Sequence, residues 1–202
     1  MKRTLIALAL ILTAVLIPAT ASAEPSTRPS ARAATLEGAK DAVASRIDKR
    51  LDALKKFETS LAAAKQVQSG HRDTLAKLIA DQRAGLTALK TKVQGETTAA
   101  AVKDDAQSMV FDYRVFVLTG PKVRLTAAVD TELAVVAKLR TLPGADTAKL
   151  DAIEGTLKGK VDALLAIKPG PDGDALRSQV QSVRAAAKAA HADLKALRKP
   201  KK

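Results

Sequence analysis

The sequence predicts an all-α protein, an elongated antiparallel helical bundle with coiled-coil-like seams built from five to six amphipathic helices. Three observations carry that expectation. Apolar residues recur at three- and four-residue steps through nearly the whole chain, which lines them along one face of a helix. Hydrophobic residues make up 47% and charged residues 27% of the chain, but aromatics only 2%, a profile typical of long Ala/Leu/Lys/Glu helices. Gly and Pro gather at a few breaks, so the helical pattern is interrupted at defined points.

The N-terminus has the pattern of an export signal. Lys2-Arg3 form a basic start, Leu5 to Ile17 an apolar run, and Pro18 a break. Ala21-Ser22-Ala23 supplies small residues at the positions signal peptidase accepts, so cleavage is expected before Glu24. The apolar run is shorter than the ~20 residues of a spanning helix. Residues 1–23 are therefore read as a signal peptide, and a secreted, extracellular protein is expected. Residues 24–35 hold two prolines and no large apolar side chain before the first periodic segment, and read as a disordered linker. The helical domain is expected over 36–198, followed by a basic tail at 199–202. The chain has no cysteine, which excludes disulfides, thiol catalysis and cysteine-ligated metals.

Within the domain, the first helix is expected from about Leu36 to Val67, with Val43, Ile47, Leu51, Leu54, Phe57 and Leu61 on one stripe. At ~1.5 Å per residue it is nearly 50 Å long and needs partner helices to cover that stripe. Ser69 to Asp73 reads as a turn, with Asp73 capping a second helix through Leu75, Ile79, Leu86, Leu89 and Val93. The seven-residue spacing Leu61, Gln68, Leu75, Gln82, Leu89 leaves a continuous helix as the alternative.

A third helix begins at Thr97 or Thr98 and thickens into Phe111-Asp112-Tyr113-Arg114-Val115-Phe116-Val117-Leu118. This stretch holds the one tyrosine and two of the three phenylalanines. Phe111, Tyr113 and Phe116 are expected to be core anchors at the centre of the fold, because large rigid side chains bury the most area. Arg114 is expected to reach Asp112 or another surface acid. Gly120-Pro121 then kinks or ends the helix. A fourth helix carries Val123, Ala127, Leu133, Val136 and Leu139 up to Pro143-Gly144. A fifth, capped by Asp146 or Thr147, carries Leu150 to Ile167. Residues 168–174 form a loop, and the last helix repeats Leu176, Val180, Val183, Ala187, Ala190, Leu194 and Leu197 in the cleanest heptads of the chain.

Tyr113-Arg114-Val115-Phe116-Val117-Leu118, with Pro121-Lys122, Leu125 and the upstream Gly85-Leu86-Thr87-Ala88-Leu89, resembles a segment in uncharacterised secreted all-helical proteins of high-GC Gram-positive bacteria. The resemblance covers roughly residues 70–130. It implies an exported helical protein and adds no activity.

The functional signal in the residues is charge. The net charge is +13, and from Leu176 onward Arg177, Arg184, Lys188, Lys195, Arg198, Lys199, Lys201 and Lys202 face the single acid Asp193. They are expected to form a basic stripe opposite the apolar seam, a polyanion-binding surface. Export points to anionic cell-wall polymers or lipid head groups as partners, and the seams to self-association. No specific nucleic-acid target is expected, because no aromatics interleave with the cations. No cofactor or metal is expected: His71 and His191 have no acid at ligand spacing, and Asp172-Gly173-Asp174 lacks the remaining ligands of a calcium loop. Asp104-Asp105 read as favourable charges in the first turns of the third helix. No nucleophile or phosphate-loop pattern appears, so an enzyme is not expected. The function expected is that of a non-enzymatic, envelope-associated protein. The alternative is a holdase-like module that opens to present its apolar stripes to lipid or protein.

Overall fold

The computed structural model describes residues 31–197, and the described chain is all-α. Seven α-helices follow one another among the described residues: α1 Ala31–Ala63, α2 Ser69–Gly95, α3 Ala99–Phe111, α4 Gly120–Arg140, α5 Thr147–Leu157, α6 Lys160–Ala166 and α7 Gly173–Leu197. A π-helical turn, Val115–Thr119, joins α3 to α4.

Two apolar cores form. The first draws Val43, Ile47, Leu54 and Leu61 of α1 onto Leu75, Ile79, Leu86 and Val93 of α2, with Val102 and Met109 of α3 closing it. The second collects Val129 and Val136 of α4, Leu150, Ile153 and Leu157 of α5, Val161 and Leu164 of α6, and the α7 seam. The Phe111–Lys122 stretch hands the chain from one to the other: Val115 and Val123 enter the first core, Leu118 the second. The i to i+5 spacing of a π turn makes this possible, because it rotates successive side chains away from the α-helical stripe.

Cross-contacts fix the helix directions. Lys90 pairs with Asp48, Arg83 with Glu58, and Arg72 with carbonyls of Leu61 and Ala64, so α1 and α2 are antiparallel. Arg140 at the end of α4 pairs with Asp151 and Glu154 of α5, whereas Lys122 at its start meets the end of α6. The α5–α6 pair thus runs back along α4. Helix α7 is parallel to α4, since Pro121 lies near Val180 and Glu132 near His191.

Several expectations are corrected. Helix α1 begins at Ala31, so the last residues of the segment expected to be disordered are helical. It ends at Ala63, and the break falls at 64–68 rather than 69–73. Asp73 lies inside α2 and is not its cap. The capping group comes instead from α4: Asp130 accepts from the Gln68 backbone N–H at 2.9 Å, and Arg72 closes the other side of the break on the α1 carbonyls. The third helix stops at Phe111, because Arg114 takes a left-handed conformation (φ 46°, ψ 37°). Pro121 neither kinks nor ends a helix. It sits in the first turn of α4, directly after the π turn. The expected fifth helix divides at Gly159, whose positive φ of 70° breaks the turn between α5 and α6.

The expected aromatic anchors are also corrected. Phe116 is 52% exposed, and Phe111 and Tyr113 are half-buried. The small β-branched and aliphatic neighbours Val115, Leu118 and Val123 fill the core instead.

Candidate functional site

Helix α7 is shaped by its heptads. Leu176, Val180, Val183, Ala187, Ala190 and Leu194 are buried, and Asp172 Oδ1 caps the N-terminus by accepting from the N–H groups of Asp174 and Ala175. That cap is the local role of the Asp-Gly-Asp loop. Arg177, Arg184, Lys188 and Lys195 are all exposed. At 100° per residue they fall within about 40° of arc, one continuous row. The row stands about 90–100° from the seam centre, so it borders the α4/α7 contact and does not lie opposite the seam as expected. Arg198, Lys199, Lys201 and Lys202 lie outside the described residues.

Arg177 pairs with Asp174 one turn earlier, and Arg184 donates to the Gln181 side-chain oxygen at 3.1 Å. Lys188 and Lys195 make no ion pair among the described residues. His191 sits between the row and the seam, with Nδ1 3.6 Å from Glu132 Oε1 on α4. Glu132 is nearly buried, and its Oε2 has no hydrogen-bond partner. Burial raises its pKa to about 7.

At the start of α7 the row meets the π turn. Phe116, Val117 and Pro121 face Arg177, Val180 and Arg184 across a groove of about 540 Å³. Arg50 of α1 lies over the Phe116 ring, 5.4 Å from its centroid. Burial, and then the neighbouring Arg46, lower the Arg50 pKa. The cations of this region therefore come from α1 as well as α7.

No protein-family model, curated protein or solved structure matches this chain. The side-chain chemistry of the surface is the guide to function.

Several polar groups of the interior hold helix ends. His71 Nδ1 lies 2.9 Å from Asp130 Oδ2, and Gln68 Nε2 donates to Oδ1 at 3.3 Å, so the fully buried Asp130 carboxylate is satisfied at the α2 N-terminus. His71 Nε2 is 3.5 Å from the exposed Asp162, at a cleft of about 220 Å³ that Glu154 also lines. The sequence suggested no acid near either histidine, yet each has one, contributed by a distant helix. Among the described residues no group of three or more His, Cys, Asp or Glu is placed to hold a metal. Buried Lys122 donates to the Leu165 and Ile167 carbonyls at 2.8 and 2.6 Å, closing the C-terminus of α6. Its desolvation lowers its pKa. Arg114 donates from Nε to Gly170 O at 2.7 Å and from Nη2 to Pro171 O, and stacks over Phe111. It secures the loop before α7 instead of meeting Asp112. Asp105 is buried against Lys92 Nζ at 2.5 Å, so it joins α3 to α2 and is not a solvated first-turn charge.

Proposed function

We propose that this is a non-enzymatic, exported helical protein that attaches to anionic groups of the cell envelope through the basic edge of α7. The observation that carries the reading is the aligned, exposed row Arg177, Arg184, Lys188 and Lys195, of which the two lysines make no ion pair among the described residues. Aligned cations on a rigid helix meet a polyanion together, and the field they sum attracts it from a distance. The signal-like N-terminus and the resemblance around Tyr113–Leu118 support export, and anionic wall polymers or lipid head groups are the polyanions within reach.

Two further observations favour this reading over a holdase that opens its helices. Among the described residues, Phe116 and Leu142 are the large hydrophobics left exposed, so the apolar stripes are covered. The α1–α2 break is also pinned from other helices, by Asp130 of α4 on the Gln68 N–H and by Arg72 on the Leu61 and Ala64 carbonyls, which opposes opening of these helices.

The test uses the exported chain from Glu24, which retains every described residue. It is incubated with purified cell walls and with anionic vesicles at low and high salt, beside a variant carrying R177Q, R184Q, K188Q and K195Q. Salt-releasable binding that the variant loses is expected. Equal binding by both proteins would remove α7 as the attachment surface.

A further inference from the structure

Three observations coincide at Phe116. It is 52% exposed in a chain whose other described aromatics are at least half covered. It is carried on a π turn entered through a left-handed arginine, and such irregular turns often mark functional positions. It also lines the groove with Val117 and Pro121 while Arg50, Arg177 and Arg184 stand around it from two different helices.

We infer that this groove is a docking site for the anionic head-group layer of a phospholipid bilayer, with Phe116 entering the interface and Arg50, Arg177 and Arg184 meeting lipid phosphates. The inference rests on the envelope-attachment reading and names the surface within it. Charge complementarity selects an anionic ligand, since guanidinium groups pair with phosphate oxygens in a planar, two-point geometry. The aromatic selects among anionic ligands. A soluble wall polymer rewards the cations alone, whereas a bilayer also takes a ring at the boundary between head groups and acyl chains. Val117 and Pro121 line the same groove. No described helix is long and apolar enough to cross a membrane, and the contact inferred here is made by the groove alone.

The chain has no tryptophan, so F116W places a single reporter at the position in question. The exported chain bearing F116W is titrated with vesicles of phosphatidylglycerol and phosphatidylcholine, and separately with soluble polyphosphate at equal phosphate. A blue shift and protection from acrylamide with vesicles, and neither with polyphosphate, is the expected result. F116A is expected to lower vesicle partitioning about fivefold, and R50Q or R184Q about fivefold each, with wall-polymer binding by F116A unchanged. Vesicle binding with an unshifted F116W spectrum, or with F116A partitioning like the parent, overturns the groove while leaving attachment through α7 intact. Binding to walls but not to vesicles overturns the groove alone, and failure of the parent to bind either at low salt overturns both.

Discussion

Gly85 of α2 and Tyr113 before the π turn pack so closely that a Cβ on Gly85 would lie 2.5 Å from the tyrosine hydroxyl and 2.8 Å from its ring. A real methyl group cannot occupy that position. The two parts of the segment that resembles secreted helical proteins, Gly85–Leu89 and Tyr113–Leu118, therefore meet in space. Gln82, one turn before Gly85, reinforces the contact: its Nε2 donates to Tyr113 O at 2.7 Å, and its Oε1 accepts from Thr119 at 2.8 Å.

Gly85→Ala is expected to push the Tyr113 ring outward. A mid-helix Gly→Ala change ordinarily gains about 0.5–1 kcal/mol, and overpacking costs about 1–3 kcal/mol. The net loss is about 1 kcal/mol. Gly155→Ala in α5, where no atom lies within 4 Å of the added methyl, is the contrast and is expected to gain stability. Thermal melts of the two variants, with tyrosine fluorescence following the one tyrosine, give opposite signs if this account holds. Stabilisation by both substitutions would show that the ring has room to yield.

Arg114 makes a comparable link between the π turn and the α6–α7 loop. Arg114→Ala removes the donors to Gly170 and Pro171 but keeps a side chain in the left-handed region, while Arg114→Gly removes the same donors and relieves the backbone. The Ala variant is expected to melt lower than the Gly variant by the equivalent of about 1 kcal/mol, the conformational cost that glycine avoids. Equal melting points would mean that the left-handed turn carries no strain.

These links explain which parts of the fold were legible in the sequence. The seams of α1, α2 and α7 follow from periodicity alone, because a helix that buries one face writes that face every three or four residues. Gln68 and Gln82 interrupt one such series, and the reason is not local: one serves the Asp130 cap and the other the π turn. Asp130, Lys122 and Arg114 were equally illegible, since each satisfies backbone groups more than 40 residues away along the chain. Composition marked the Phe111–Leu118 stretch as the centre, correctly as to place. It missed that Phe116 would stand outside, with Phe111 and Tyr113 half-buried, while valines and leucine filled the cores. The cations of α7 were legible as residues, but their position beside the groove depends on where α4 lies. Arg50 could not have been joined to them without the fold.

Asp130 sits at a convergence of the Gln68 N–H, the Gln68 amide and His71, all directed at one buried carboxylate. Asp130→Ala would leave these donors facing a small void, and Asp130→Asn would replace an acceptor oxygen with a donor. Losing charged hydrogen bonds at a buried site costs about 1.5–3 kcal/mol each, and the losses here are coupled. Both variants are expected to lose about 3 kcal/mol or more by denaturant unfolding. His71→Gln, which retains a polar group on the exposed side of the same carboxylate, is expected to cost less. A loss below about 1 kcal/mol in Asp130→Ala, less than one such bond, would show that the α2 N-terminus does not depend on this cap.

Glu132 gives the fold a pH dependence of defined sign. Its folded pKa of about 7 stands above the ordinary 4.5 because burial disfavours the carboxylate. Between those values the folded chain keeps a proton that the unfolded chain releases, so the Glu132 contribution to stability falls as pH rises through this window and levels off above it. The full effect is on the order of 3 kcal/mol. His191 Nδ1 on α7 lies 3.6 Å from the Glu132 Oε1. Glu132→Gln removes the proton-linked part and supplies an amide that needs no charge. The variant is therefore expected to be more stable than the parent at pH 8, to match it more closely at pH 5, and to show a flatter profile between them. Denaturant melts at the two pH values measure this directly. If the parent and the Glu132→Gln variant change in stability by the same amount between pH 5 and pH 8, the carboxylate is already compensated in the fold.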